Sequence, residues 1–343
     1  MIKIAVFDVK EYDKKYFEKF KADNTEVSYF EPKLDESTCL LAKGFDVVVP
    51  FVNDDINKKV VECLYGYGVK LIALRCAGFN NVDVKACYKK IHVVRVPSYS
   101  PEAVAEHAAA LLLTSVRRIH KAYNRTRDFN FSLAGLTGFN IYGKTVGVVG
   151  TGRIGKSFIK IMQGFGARIL AYDKFPDQTL DAEYVELETL LKNSDIISLH
   201  CPLTDETFHL IDEKAISSMK KGVMIINTSR GALIDAEALL NGIKERTVGG
   251  ACLDVYEEES DLFFEDKSGH ILGDDVLARL LSMPNVIITS HQAFLTDEAL
   301  SEIARTTIKN VLDYFDDKPL TNEVCYRCEK MEGCKKQKSS RCF

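Results

Sequence analysis

The chain has 343 residues, 46% of them hydrophobic and 27% charged, with a formal net charge of −4. That length suits two domains of ordinary size. The weak acidity gives no reason to expect nucleic acid or an anionic membrane as a partner, and no apolar run approaches the ~18–20 residues of a membrane span. The N-terminus, MIKIAVFD, alternates like a strand and lacks the basic, apolar and small-residue sections of a signal peptide, so a cytoplasmic protein is expected.

From residue 1 to about 100 a strand-then-helix pattern repeats. IKIAVFD precedes a charged amphipathic stretch from Glu11 to Lys21, and EVSYF follows. The apolar runs Asp46–Phe51, Lys70–Cys76 and His92–Val96 continue the series, with a helix near Val82–Lys89. Such alternation predicts a parallel sheet with helices on both faces. Ser100-Pro101 then opens a long helix with a capping serine and a proline at its first position, running through an Ala/Leu-rich stretch to Arg118. Almost all of it is apolar, so it should be buried. His107 on this helix reads as a hydrogen-bonded interior residue, with a catalyst as the alternative. Asn124 to Gly143 is polar and glycine-punctuated, as expected of a crossing segment with loops.

Lys144 to Asp173 forms one complete strand, glycine turn, helix and second strand. Gly150-Thr151-Gly152-Arg153-Ile154-Gly155 supplies G-x-G-x-x-G. Its glycines allow a tight turn, close approach of a pyrophosphate, and close packing of helix on strand. The helix N-terminus offers unpaired N–H groups to phosphates. Asp173 ends the next strand 18 residues after Gly155. A carboxylate there accepts from a ribose 2′-OH and repels a 2′-phosphate, which favours NAD over NADP. Further strands at Asp195–His200, Gly222–Asn227, Val248–Val255 and Asn285–Ser290 end in polar residues. That edge is where open parallel sheets bind ligands, which makes His200, Thr228, Ser229, Arg230, Asp254 and His291 candidates. A last helix, Thr296 to Phe315, has no strand after it.

An enzyme that reduces a 2-oxo acid with NADH needs three more groups. Arginine suits the substrate carboxylate because its planar fork binds bidentately. Histidine suits proton exchange near neutrality. A carboxylate on the far imidazole nitrogen holds its orientation and favours the imidazolium. Arg230, His291 and Glu259, just beyond the Val248–Val255 strand, stand at strand ends, and of the successive Glu257, Glu258 and Glu259 the spacing from Asp254 favours the third.

Long segments of the chain match a known family: CAGFNNVD (76–83), VPSYSPEAVAEHAAA (96–110), RTRDFNFSLAGLTGFNIYGKT (125–145), VGTGRIG (149–155), SLHCPLT (198–204), NTSRGALID (227–235), LDVYEEESDLFFEDKS (253–268) and SHQAFLT (290–296). Over residues 1 to about 324 the sequence resembles the D-isomer-specific 2-hydroxyacid dehydrogenases, and among them the fermentative D-lactate branch. The resemblance implies two doubly wound α/β parallel-sheet domains, a flavodoxin-like substrate domain and a Rossmann NAD-binding domain. Residues 1–100 with 297–324 would form the first and 101–296 the second, with the active site in the cleft between them and a homodimer contact at the helix from Pro101. It implies Arg230 as carboxylate binder, His291 as acid/base and Glu259 as its partner. Tyr99 and the N–H groups of Ala77 and Gly78 would meet the substrate, and Phe51 and Phe294 would wall a methyl-sized pocket. Position 51 is tyrosine in several relatives, which removes one polar contact here. The cofactor-binding set would be Gly150, Thr151, Gly152, Arg153, Ile154, Gly155, Asp173, His200, Cys201, Pro202, Asn227, Thr228, Ser229 and Asp254, with Asp254 on the nicotinamide carboxamide. The reaction implied is NADH-dependent reduction of pyruvate to D-lactate. A bulkier acid such as phenylpyruvate or 2-oxoisocaproate, or an NADH-sensing corepressor role, are the alternatives.

Cys39, Cys63, Cys76, Cys87, Cys201 and Cys252 lie in apolar segments, where reduced cysteines serve as small core residues. Residues 325–343 fall outside the resemblance and carry Cys325, Cys328, Cys334 and Cys342 among six Lys/Arg and two Asp/Glu. Zinc or an iron–sulfur cluster, redox-sensitive disulfides, and an inert basic tail are all compatible with that composition.

Overall fold

Short runs of β-branched and aliphatic residues alternate with amphipathic stretches along most of the chain, and in the computed structural model they form parallel strands and the helices that cover them. The structure describes residues 1–259, 262–327 and 341–343. The first elements are β1 (Ile2–Val6), α1 (Glu11–Phe20), β2 (Thr25–Tyr29), β3 (Val47–Val49), α2 (Lys58–Gly66), β4 (Leu71–Ala73), α3 (Val84–Cys87) and β5 (His92–Val94). There follow α4 (Pro101–Val116), α5 (Ile119–Arg127), β6 (Thr145–Val149), α6 (Arg153–Gly164), β7 (Arg168–Tyr172), β8 (Glu183–Tyr184), α7 (Leu187–Asn193) and β9 (Ile196–Leu199). The last are α8 (Glu213–Ser218), β10 (Val223–Asn227), α9 (Ala236–Lys244), β11 (Val248–Leu253), α10 (Asp275–Ser282), β12 (Val286–Ile288) and α11 (Asp297–Phe315). None of the described helices is long and apolar enough to cross a membrane.

The chain divides into two compact units, unit 1 comprising Met1–Ser100 with Thr296–Phe343 and unit 2 comprising Pro101–Leu295. Unit 1 is built on a five-stranded sheet in the order β2-β1-β3-β4-β5, parallel throughout. The inner strands β3 and β4 are buried at every residue, which is why β3 is simply Val47-Val48-Val49. The final helix α11 packs on α1 and β4 and buries Leu300, Ile303, Ile308 and Val311. Beyond it, the Val324 amide donates to the Val93 carbonyl at 2.9 Å and Glu323 bridges Val94. The described ends of the segment read as a tail belong to unit 1. The Cys342 amide donates to Glu323 Oε2 at 2.6 Å, and the Phe343 ring stacks on His92 with centroids 4.1 Å apart.

Unit 2 holds a seven-stranded sheet in the order β12-β11-β10-β9-β6-β7-β8, again parallel. One core contains Ala105, Leu112, Phe158 and Met162 of α4 and α6. The other contains Leu190, Ile216, Leu239 and Leu280 of α7 to α10. The strand order reverses between β6 and β9, which opens a crevice at the C-terminal edge of the sheet. Helices α8, α9 and α10 start on Asp212, Asp235 and Asp274, each accepting an amide of the first turn.

Two expectations need correction. The start of 124–143, a span read as a crossing segment with loops, is helical, because α5 continues to Arg127. Arg118 takes a left-handed turn (φ 54°) that starts a second helix directly after α4. Cys39 and Cys63 are not reduced core thiols but a disulfide, with Cα atoms 6.7 Å apart. Cys39 lies in a short 3-10 turn, Cys39–Ala42, that packs on α2, which carries Cys63. Cys76, Cys87, Cys201 and Cys252 are buried thiols.

Candidate active site

β6 ends against the glycine turn, and the three glycines there answer to different demands. Gly150 has φ +94°, and a Cβ on it would lie 2.6 Å from the backbone of His200 and Cys201. A Cβ on Gly155 would overlap the Gly150 carbonyl oxygen, so turn and helix touch backbone to backbone. Gly152, the N-cap of α6, has φ −65° and ψ −166°, a conformation open to any residue. Nothing lies within 4 Å of where its Cβ would be. The protein itself therefore gives no reason for glycine at 152, whereas a pyrophosphate laid on the α6 N-terminus does. Asp173 follows β7 and is tied to the same turn. Its Oδ2 accepts the Thr151 amide at 2.6 Å and the Thr151 hydroxyl at 3.1 Å. Tyr184 of β8, not anticipated from the sequence, donates its hydroxyl to Thr151 at 2.9 Å. Arg153 is exposed and Ile154 half-buried beside it. These residues fit an NAD pyrophosphate and ribose.

β9 lies beside β6, and β10 beside β9. His200 turns its ring inward, with Nε2 2.9 Å from the Ser198 hydroxyl and the ring against Phe158 of α6. Burial pushes the imidazole down to about 3, so it is neutral. Burial likewise pushes the Cys201 thiol up to about 11. The Cys201 carbonyl accepts the Ser229 hydroxyl at 2.7 Å, and the Pro202 carbonyl accepts Thr207 Oγ1 at 2.7 Å. Asn227 is buried, accepting the Ser229 amide at 3.0 Å and donating to the Arg230 carbonyl at 2.8 Å. Thr228 is buried with no hydrogen-bond partner for its hydroxyl. Arg230, half-buried, is held extended by this arrangement (φ −141°, ψ 137°), and its Nη1 donates to the Ser229 carbonyl at 2.7 Å.

β11 runs into Asp254, which is fully buried. Its carboxylate accepts the Thr289 hydroxyl at 2.5 Å and the amides of Gln292 and Ala293 at 2.9 and 2.8 Å. His107 Nε2 stands 3.3 Å from Oδ1. Burial alone would raise this carboxyl, but hydrogen bonds from His107, Thr289 and the two amides outweigh it and hold the group below the usual range. Asp254 therefore staples the 289–293 loop, and its carbonyl also accepts the His291 amide at 2.7 Å. His291 sits in that loop with φ 53°. Its Nδ1 is 2.8 Å from Glu259 Oε1, and Glu259 Oε2 accepts the Tyr256 amide at 3.0 Å. Of the three successive glutamates, Glu259 is the one beside His291, while Glu257 Oε1 lies 2.6 Å from His209 Nε2. Phe264 tilts over the His291 ring, centroids 5.8 Å apart. Phe294, three residues on, is buried.

In unit 1, Ala77, Gly78 and Tyr99 are half-buried beyond β4 and β5. The Ala77 carbonyl accepts Arg95 Nη1 at 2.7 Å and the Gly78 carbonyl accepts the Cys76 thiol at 3.2 Å. Phe51 is buried under Arg75, whose Cζ lies 4.0 Å from the ring centroid. Sequence reasoning missed Arg75 and Asp54. Arg75 is buried, paired with Asp13 at 3.0 Å, and donates to the carbonyls of Phe7 and Asp8 at 3.1 and 2.6 Å. Asp54 Oδ1 accepts the Leu34 amide at 2.7 Å and Oδ2 the Phe51 amide at 2.5 Å. The one signal in the sequence was a lone arginine inside the apolar run LIALRCAG.

Among the described residues no group of three or more His, Cys, Asp or Glu is placed to hold a metal. Of the four C-terminal cysteines, Cys325 and Cys342 are buried, and Cys328 and Cys334 lie outside the described residues.

Residues 109–293 match the family described as "D-isomer specific 2-hydroxyacid dehydrogenase, NAD binding domain". The chain is 52% identical over 328 residues to the D-lactate dehydrogenase of Escherichia coli, covering 94% of this chain and 100% of that one. The solved apo-structure of D-lactate dehydrogenase from Escherichia coli superposes with a TM-score of 0.86 at 50% identity, covering 94% of this chain and 100% of that one. The D-lactate dehydrogenase of Aquifex aeolicus complexed with NAD and lactic acid superposes with a TM-score of 0.82 at 33% identity, covering 92% of this chain and 96% of that one.

Proposed function

As this chain belongs to the D-isomer-specific 2-hydroxyacid dehydrogenase family, we propose that it reduces pyruvate to D-lactate with NADH and catalyses the reverse reaction with NAD. The observation that carries the proposal is the 2.8 Å pairing of Glu259 with His291, which sits on a loop stapled by Asp254, in a unit whose glycine turn fits a dinucleotide. When bound, the cofactor supplies the hydride that adds to C2 of the substrate.

The chain's own residues do the rest. Arg230 binds the substrate carboxylate through its guanidinium fork. Glu259 accepts from His291 Nδ1, which fixes the ring and leaves Nε2 as the nitrogen that gives its proton to the oxygen on C2. In the reverse direction Nε2 takes that proton back. Asp254 acts on the chemistry by holding the backbone of the histidine loop. Tyr99 and the amides of Ala77 and Gly78 are assigned to the substrate carboxylate, and Phe51 and Phe294 to its methyl group. The glycine turn with Asp173 binds the pyrophosphate and adenosine ribose. The cytoplasm is the location proposed, since that is where NADH is at hand.

The quaternary partner proposed is a second copy of the chain. Tyr123, Phe129, Phe131, Leu133 and Tyr142 are 58–85% exposed within one short stretch of unit 2, more apolar surface than a monomer usually shows in one place. Sedimentation analysis should find a dimer, and a monomer would overturn this assignment. The reaction is tested by steady-state rates with NADH and pyruvate, phenylpyruvate or 2-oxoisocaproate, with chiral analysis of the product. Pyruvate should give the highest kcat/KM and the D-acid. A preference for either bulkier acid would overturn the substrate assignment. Absence of turnover with all three, NADH binding intact, would overturn the enzyme reading.

A further inference from the structure

We infer that His209 is a positioning residue that fastens the loop carrying Arg230 to the loop carrying Glu259. The inference rests on the roles proposed for those two residues and for His291.

His209 belongs to the turn between β9 and α8, and its backbone and side chain reach in different directions. Its amide donates to the Ala232 carbonyl at 2.8 Å and the Ile211 amide to the Leu233 carbonyl at 3.0 Å. The turn is thereby laid along the backbone that follows Arg230. Its Nε2 stands 2.6 Å from Glu257 Oε1, and its Nδ1 3.8 Å from Asp235 Oδ2. Asp235 is the cap of α9, which opens just after the Arg230 loop. Glu257 lies two residues before Glu259, in the turn whose Tyr256 amide Glu259 itself accepts.

These two loops also touch directly. A Cβ on Gly231 would overlap the backbone of Tyr256 and Glu257, so the residue after Arg230 lies flat on the turn before Glu259. Gly231 permits that approach, and the His209–Glu257 bond pins it in register. The backbone of His209 adopts φ 50°, a left-handed conformation that side chains take only where the surroundings impose it. A histidine needed merely to fill space would lie among apolar neighbours. This one has Glu257 on Nε2 at hydrogen-bond distance, the Asp235 carboxylate 3.8 Å from Nδ1, and Phe208 stacked on its ring with centroids 4.0 Å apart. Thus one histidine–glutamate pair, His291 with Glu259, does the proton chemistry, and a second, His209 with Glu257, holds the first in place.

The test compares the full-length wild type with His209→Ala, His209→Gln, Glu257→Gln and the His209→Gln/Glu257→Gln double variant, measuring kcat, pyruvate KM, NADH Kd and Tm. His209→Ala should raise pyruvate KM and lower kcat together, with kcat/KM falling by at least about 10-fold, because misplacing reacting groups by a fraction of an ångström is costly. NADH Kd should stay within about 2-fold. Glutamine at 209 retains a donor for Glu257 and should restore part of the loss. The double variant should be no worse than the poorer single, since both substitutions act on the same contact. Wild-type kcat and KM in His209→Ala, or additive losses in the double variant, would overturn the inference. So would losses that scale with the fraction of enzyme unfolded, as a purely structural role would give. If the wild type itself fails to reduce pyruvate, it is the proposed reaction that falls, together with the roles this inference requires.

Discussion

Replacing Gly152 by alanine separates what the glycine turn does for the cofactor from what it does for the fold. The added methyl meets no atom within 4 Å, and the backbone at 152 already suits alanine. Stability should therefore rise by about 0.4–1 kcal/mol, because alanine narrows the unfolded ensemble, and Tm by about 1–4 °C. The pyrophosphate has to come closer to this backbone than a methyl allows. Losing one or two amide–phosphate hydrogen bonds, each about 1.5 kcal/mol when the acceptor is charged, should weaken NADH about 10- to 100-fold. Gly155→Ala is the counterpart, because its methyl would overlap the Gly150 carbonyl oxygen. A rigid backbone neighbour makes that overlap cost about 1–3 kcal/mol, at about 2–4 °C of Tm for each. Titration of NADH by fluorescence and melts of the unliganded proteins would read both quantities. Wild-type NADH affinity in Gly152→Ala would refute the placement of the pyrophosphate, and a wild-type Tm in Gly155→Ala would refute the packing account.

His291→Asn should lower kcat by about 10²–10⁴-fold, the usual scale of general acid–base catalysis, while NADH Kd changes little; wild-type kcat would remove the assignment. Arg230→Lys exchanges a planar fork for a point charge and should act mainly on pyruvate KM, so an unchanged KM counts against its role. Asp254→Asn puts an amide nitrogen among four donors and should cost about 1–3 kcal/mol, seen as a lower Tm with slower turnover; retention of both would show that the 289–293 loop does not need the staple. Asp54 is lifted to about 7 by burial, against the pull of its two amide donors. The folded protein keeps that proton to about pH 7, whereas the unfolded chain releases it near ~3.9. Wild-type stability therefore declines as pH rises between those values and stays lowered above them. Asp54→Asn does not titrate, so its stability relative to wild type should improve as pH rises from about 4 to about 7 and level off above, by the order of 1–4 kcal/mol. A pH-independent difference would refute this.

The glycine turn, Asp173 and the parallel strands were legible because their signals are local. A strand buried on both faces must be apolar throughout, and a phosphate turn must carry glycine at fixed steps. α5 was missed because IHKAYNRTR (119–127) buries no residue at all, so no apolar stripe marks it. Among Glu257, Glu258 and Glu259 the resemblance and the spacing from Asp254 point to Glu259, but what separates the three physically is which histidine each faces, and those histidines lie 48 and 32 residues away. Topology brings those histidines to one sheet edge. Arg75 was hidden for a related reason. Its partner Asp13 lies 62 residues away on α1, and a lone charge in an apolar strand does not reveal what pairs with it. The Cys39–Cys63 bond likewise follows from a 3-10 turn packing on α2, a contact with no periodic trace.

The split of unit 1 between the two ends of the chain bears on how the protein is made. Pro101–Leu295 is continuous, so unit 2 has all its strands as soon as that stretch has left the ribosome. The five strands of unit 1 are synthesised first, yet α1 and β4 lack their cover until α11 arrives roughly two hundred residues later. During that interval an apolar face stands open at the start of the nascent chain, a period in which aggregation competes with folding. Premature termination before Asp297 should therefore harm the N-terminal sheet more than the nucleotide-binding one, although the lost residues are distant from it in sequence.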